Sequence, residues 1–354
     1  MSSLAERLRE RIVREGPISF ADFMQAALQD PAEGYYARHA EIGEGGDFLT
    51  SPHVSPAFAA AFARLFSIDV DRLEGEIDFV EVGAGNGRFL EDFTSALAQI
   101  DPPLQARLRV TALEASAEGR EALAARSIVP APRILSSVEE LPEGSVTGWI
   151  FSNELYDALP VARFVGSEEG LQEIRVGAEG DAFVWTAAPA GPALREHLES
   201  FGVDIRTGQK GEIALDAEPL HRRLARSLDR GWMMTVDYGH PARILYHPFA
   251  RPHGTLAVHS GGRRGGDPLC HPGEQDLTAH VNWDALMRAG DAEGLHTDRL
   301  ARQGLFLTEA GIFDFSGGDA EKWRIYRLVD PAGMGEELSV LIQSKGVGFT
   351  TPVR

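Results

Sequence analysis

Three glycines at alternating positions, Gly83, Gly85 and Gly87, follow a short apolar run, with Asn86 inside the turn. Glu81 stands just before the first of them, and Glu114 ends the next apolar run. Glycines leave such a turn bare, so a ligand can lie against backbone beside the positive end of the helix that follows. An acid at the end of the second strand can accept both hydroxyls of a ribose. Further along, Asn153, Glu154 and Asp157 cluster where another apolar run ends. Carboxylates so grouped can hold a planar guanidinium bidentately and take its proton.

Glu81 discriminates between ligands. A dinucleotide's pyrophosphate is repelled by a carboxylate this close to the turn. S-adenosylmethionine has no phosphate and brings an ammonium and a sulfonium that the carboxylate attracts. The G-x-G-x-G spacing, in place of G-x-G-x-x-G, points the same way. The expected cofactor is therefore S-adenosylmethionine, bound by Glu81, Gly83, Gly85, Asn86, Gly87 and Glu114. A glycine turn with nothing bound is the plainer alternative. Asn153 is expected to fix the methionine end of the donor or the acceptor. Glu154 and Asp157 are expected to hold the acceptor and receive its proton, or else to cap a following helix. Asp47 and Phe48, in GGDFLTSP, either close over the donor or anchor a surface loop. Tyr238, in VDYGH, ends a strand at the crevice or is a buried tyrosine satisfied by backbone.

At about 150 residues per domain, 354 residues suggest two domains, or one with insertions. Leu4, Leu8 and Ile12 keep helical spacing, Gly16-Pro17 breaks that helix, and Ser19 to Asp22 reads as a capping box for a second. Residues 34–56 crowd aromatics, glycines and prolines without a period, as in a long functional loop. Strands are then expected at 77–82, 108–114 and 147–154, with helices after the first two. This alternation predicts a parallel α/β sheet with its crevice at the strands' C-terminal ends. Period-2 runs between 160 and 217 predict an inserted antiparallel meander. The main pattern resumes with a helix at 218–230, a strand at 232–238, a Gly/His-rich loop to 274 and a helix over 276–290. Strands at 294–300 and 337–346 close the chain.

The net charge of −19 excludes a simple nucleic-acid binder, since phosphate affinity rests on Lys and Arg. A single cysteine, Cys270, excludes an intrachain disulfide and a Cys-rich zinc cluster. Six of the eleven histidines lie between His240 and His280, but their spacings match no compact ligand motif, and no metal is expected. No apolar run approaches the roughly 18 residues that span a bilayer. Glu6, Glu10 and Glu15 argue against an acid-poor transit peptide in the Arg-rich first helix, so a cytoplasmic protein is expected.

GYYARHAEIGEGGDFLTSP, FVEVGAGNGRFL, ALEAS, SNELYDALPVARF, TVDYGH, DPLCHPGEQDLTAHVNW and MGEELSVL occur in that order over nearly the whole chain. In this the sequence resembles the MidA family of class I methyltransferases, which includes a mitochondrial assembly factor for respiratory complex I. The resemblance implies a Rossmann-like methyltransferase sheet, S-adenosylmethionine as cofactor and arginine methylation on a partner protein, such as a respiratory-complex subunit. It also brings His280, in DLTAHV, towards the acceptor. His53, Ala59-Ala60, Ile134-Leu135 and His259 to Gly262 depart from the family pattern. The expected organisation is an N-terminal helical segment with the GDF loop (1–70), the first part of the cofactor core (71–158), an inserted substrate region (159–217) and the rest of the core (218–354). Homodimerisation stays open. A non-catalytic assembly protein that keeps the fold, and an NAD-dependent oxidoreductase, are the competing readings.

Overall fold

The computed structural model describes residues 2–38, 50–260 and 263–349. They form two compact units, one of residues 50–155, 220–238 and 287–349, the other of 2–38, 156–219, 239–260 and 263–286.

The first unit is built on seven strands: β1 (Ile77–Val82), β2 (Leu108–Leu113), β3 (Arg133–Leu135), β4 (Val146–Asn153), β5 (Leu228–His240), β6 (His296–Arg302) and β7 (Leu338–Lys345). Their spatial order is β6-β7-β5-β4-β1-β2-β3. Every pairing is parallel except those of β7, which runs antiparallel to β5 and β6. All six residues of β1 are buried, as a central parallel strand covered on both faces requires. Its side chains divide by parity. Phe79 joins an aromatic cluster with Phe58, Phe62, Phe66, Phe89, Phe93, Trp149 and Phe151, while Val80 and Val82 join Leu224, Ile150 and Met233. At the sheet's other end Asp78 accepts two bonds from Arg109, at 2.8 and 2.9 Å, and one from Thr147 N, tying β1, β2 and β4 in register.

The aromatic cluster supports the glycine turn. Helix Arg88–Ile100, which leaves the turn, lays Phe89 flat on Phe151 of β4, with centroids 4.4 Å apart and planes 10° from parallel. Phe62, on helix Pro56–Val70, meets Phe151 edge-on at 5.0 Å. Buried aromatics carry large apolar area, and such pairs add to it.

The second unit holds the antiparallel meander expected from the period-2 runs. Its strands follow the order Ile18–Ser19, Gly170–Glu179, Ala162–Ser167, Lys210–Ile213, and Ala182–Pro189 pairs with Gly170–Glu179. Helix Leu4–Glu15 buries Leu4, Leu8 and Ile12 behind a full Ser3/Glu6 capping box. Only half of the second expected box forms. Ser19 Oγ accepts from Asp22 N at 3.0 Å, but the Asp22 carboxylate pairs with Arg11 at 3.3 Å.

Two expectations need correction. The helix expected over 276–290 begins only at Trp283, because Asp276–Thr278 pairs with Ala257–His259 and Val281–Asn282 pairs with Gly239–His240. Leu277, Ala279 and Val281 are buried alternately, and this period of two prevails over the helical reading. No helix follows β4 either; a turn leads into strand Ala162–Ser167, so Glu154 and Asp157 cap nothing. The unit boundaries also differ from the linear segments expected. Residues 1–39 and 239–286 group with the meander, because both helices and the Ala257–Ser260 strand build its cores.

Replacing Phe151 by Ala removes the ring between Phe62 and Phe89. Denaturant unfolding should show a loss of about 3–5 kcal/mol, with the m-value unchanged.

Candidate active site

In the first unit the strands β1, β2 and β4 end together, and the sequence-predicted cofactor residues lie there. The turn after β1 uses positive φ at Gly83 (74°), Gly85 (53°) and Gly87 (75°). Around Gly85 the space is open: no atom lies within 4 Å of where a Cβ would stand. Glu114, one residue beyond β2, accepts from Gly85 N at 2.8 Å through Oε2, and from Ser116 N and Oγ at 2.8 and 2.6 Å through Oε1. Asn86 is engaged locally, its Oδ1 accepting from Arg88 N at 3.1 Å and its carbonyl from Arg126 Nε at 2.6 Å.

Glu81 lies on the aromatic face of β1, 4% exposed, and its Oε2 has no hydrogen-bond partner among the described residues. Burial pushes its pKa well above the ordinary value of 4.5, and the nearby Glu114 charge adds to the rise. A buried carboxyl group with an unmet oxygen, beside open glycine backbone, fits the cationic, amino-acid-bearing end of S-adenosylmethionine. Glu81, the glycine turn and Glu114 are the residues that would hold it.

Glu154 follows β4 with φ 50°, the left-handed region that non-glycine residues rarely adopt. Four bonds fix this turn. Glu154 N donates to Val236 O at 2.8 Å, Leu155 N donates to Asp237 Oδ2 at 3.1 Å, and Glu154 Oε1 accepts from Ser51 N at 3.2 Å and Asn153 Nδ2 at 3.0 Å. Asn153 Oδ1 is buried without a partner. Asp237, fully buried on β5, and Ser51 were not singled out in the sequence. Asp237 had a signal, an acid at a strand end in VDYGH, whereas Ser51 acts through its backbone and had none. Tyr238, half-buried, lies two residues before the end of β5 and pairs with Leu338 of β7.

The remaining candidates lie elsewhere. Asp157 and His280 belong to the second unit, where Asp157 is 3% exposed and its carbonyl accepts from Ala279 N at 2.9 Å. Near it Tyr36 donates to Asp276 Oδ1 at 3.3 Å; burial, then Asp276 and Asp157, raise the Tyr36 pKa. His280 faces His240 with ring centroids 5.4 Å apart and lines a cavity of about 20 Å³ with Tyr156, His197, Tyr246 and Asn282. That space admits about one water. Asp47 and Phe48 lie outside the described residues. Among the described residues no group of three or more His, Cys, Asp or Glu is arranged to hold a metal.

A sheet of this order, with one antiparallel strand, a glycine turn after β1 and an acid beyond β2, defines a class I S-adenosylmethionine-dependent methyltransferase. The chain belongs to the family described as putative S-adenosyl-L-methionine-dependent methyltransferases, whose model matches residues 59–301. It is similar to the mitochondrial protein arginine methyltransferase NDUFAF7 of Homo sapiens, 27% identical over 96% of this chain and 82% of that one. The Drosophila melanogaster homolog is 25% identical over 98% and 85%. A likely methyl transferase from Burkholderia thailandensis, solved with S-adenosyl-homocysteine, is 30% identical with a TM-score of 0.85, covering 97% of this chain and 92% of that one.

Because the Glu81 pKa is higher folded than unfolded, its ionisation opposes folding as pH rises above 4.5. The ligand-free Glu81→Gln protein should be more stable than wild type at pH 7. That difference should shrink to nothing below about pH 4.5 in paired thermal melts. Gly85→Val fills the open space and strains the turn. Calorimetry should show S-adenosylhomocysteine affinity falling at least about 100-fold, with the fold intact by circular dichroism.

Proposed function

We propose that this methyltransferase modifies an arginine side-chain nitrogen of a partner protein. The observation that carries the reading is the similarity, over 96% and 98% of the chain, to relatives named protein arginine methyltransferases. S-adenosylmethionine supplies an electrophilic methyl on a sulfonium. Glu154, oriented by Ser51 N and Asn153 Nδ2, accepts guanidinium N–H bonds and takes the proton released as the nitrogen is alkylated. Asn153 therefore acts chiefly by positioning Glu154, and its buried Oδ1 is left to accept an N–H from a bound ligand. Asp157 is assigned to the acceptor on its burial and its place in the same motif. Tyr238 and His280 are assigned to the substrate side.

A respiratory-complex subunit as the target rests on the family resemblance, and a cytoplasmic site of action on the acidic residues of the first helix. A homodimer remains part of the proposal without a surface assigned to it. The oxidoreductase reading is set aside by the family and by the buried Glu81. The non-catalytic reading makes a different prediction from ours.

Incubated with methyl-labelled donor and a lysate, the protein should label a polypeptide whose hydrolysate contains methylarginine. Glu154→Gln should cut that rate about 10²- to 10⁴-fold while leaving donor affinity within a few-fold. No label from wild type would support the non-catalytic reading, and label on another residue type would refute arginine as acceptor.

A further inference from the structure

His53 has a buried, unused nitrogen at the cofactor site. It lies in the short helix Ser51–Val54, which packs against helix Arg88–Ile100, and its ring feels the charges of Arg88, the first residue of that helix, and of Arg126, which is bonded to Asn86 O in the glycine turn. Its Nδ1 is 2.7 Å from Thr50 Oγ1, and its buried Nε2 has no hydrogen-bond partner among the described residues. The same turn carries Ser51 N, which holds Glu154. A buried ring nitrogen without a partner costs free energy unless something meets it.

Three features give the chemistry of what would meet it. First, the ring is neutral: burial, then the charges of Arg88 and Arg126, lower its pKa to about 4. The Thr50 hydroxyl can donate to Nδ1 or accept from it; the tautomer that meets an anion is the one in which it donates, which puts the ring proton on Nε2 and makes that nitrogen a donor. Second, both arginines are cations near the imidazole, although Arg88 pairs with Asp92 at 2.7 Å and Arg126 with Glu91 at 2.6 Å. The field that disfavours an imidazolium favours an anion. Third, the N-cap of helix Arg88–Ile100 is Gly87, which offers no side-chain cap. Glu81, by contrast, is an acceptor suited to an ammonium.

We propose that His53 binds the α-carboxylate of the methyl donor, its Nε2–H donating to that carboxylate beside the glycine turn while Glu81 takes the ammonium. The inference rests on the donor assignment and is independent of the acceptor's identity.

Calorimetry with three ligands tests it: S-adenosylhomocysteine, its decarboxylated analogue, which keeps the ammonium and lacks the carboxylate, and methylthioadenosine, which lacks both. His53→Phe should weaken S-adenosylhomocysteine by about 10- to 100-fold, the range for a hydrogen bond to a charged group. Its affinity for the other two should stay within about threefold of wild type. His53→Asn, whose amide reproduces Nδ1 but not Nε2, should give the same pattern and guards against a packing artefact of the larger ring. Equal losses for all three ligands would make His53 a structural residue and overturn the proposal, as would unchanged S-adenosylhomocysteine affinity. Failure of the wild type to bind any of the three would instead overturn the donor assignment, and this inference with it.

Discussion

A carboxylate is held in the interior at the end of β1 with one oxygen unanswered, and the surrounding structure has to tolerate it. Glu81 shares its face of the strand with Phe79, so it emerges from an aromatic cluster and is desolvated by the residues that make the strand stable. Burying such a group without a donor disfavours its charged form. The cost is borne by a core in which Phe79, Phe89, Phe93 and Phe151 are each at most 2% exposed, and by the Asp78–Arg109 pair that fixes the strands at the opposite end. A site that is unfavourable when empty becomes favourable once a cation supplies the missing partner. Local strain and unsatisfied groups persist at functional sites only when the rest of the fold over-determines them.

The same logic extends to β4 and β5. Glu154 has a left-handed φ, and its turn would relax if it were held only by its own residues. Asp237 prevents this from the neighbouring strand, one carboxylate oxygen accepting from Leu155 N and the other from Tyr238 N at 2.8 Å. Fully buried and doubly bonded, it locks the ends of two adjacent strands together. Two acids a short distance apart thus serve different ends: Asp237 is consumed by backbone donors, whereas Glu154 presents a carboxylate oriented through Oε1. Composition cannot separate them, but hydrogen bonding does.

Much of this was legible in the sequence. The first βα unit, with a mostly apolar and fully buried strand, alternating glycines and an amphipathic helix, announces itself because local pattern and tertiary role agree. β6 reads weakly because it is the edge strand and most of its residues are half-buried, so its composition carries little hydrophobic signal. The 276–282 stretch was misread because Leu277, Ala279 and Val281 fall within an apparent helical run, and only pairing with distant strands decides the period. At the candidate site, Glu81, Glu114 and the glycines were singled out by type and spacing, and the structure brings them together at the ends of β1 and β2. Ser51 was not, since a backbone N–H is present at every residue and only the fold says which one is aimed. Asp157 and Glu154 share one motif, yet the chain assigns them to different units at the 155/156 boundary, a division that no spacing encodes.

Glu114 shows why glycine spacing alone identifies a donor poorly. Its carboxylate already accepts three bonds, from Gly85 N, Ser116 N and Ser116 Oγ, out of about four positions a carboxylate offers. Two ribose hydroxyls cannot both be added to that set, so one of the present donors must yield. Gly85 N is the natural one, since it belongs to the turn that would contact a ligand, while the Ser116 pair belongs to the start of the next helix. The peptide donor thus released is then available to the bound molecule. An acid beyond β2 and a glycine turn after β1 occur together in dinucleotide sites as well. What differs here is Glu81, whose buried carboxyl offers an acceptor that an ammonium can meet and favours in its charged form, whereas a phosphate placed against the turn would oppose that ionisation. The discrimination between a phosphate-bearing and a sulfonium-bearing ligand rests less on the loop than on the single side chain beneath it.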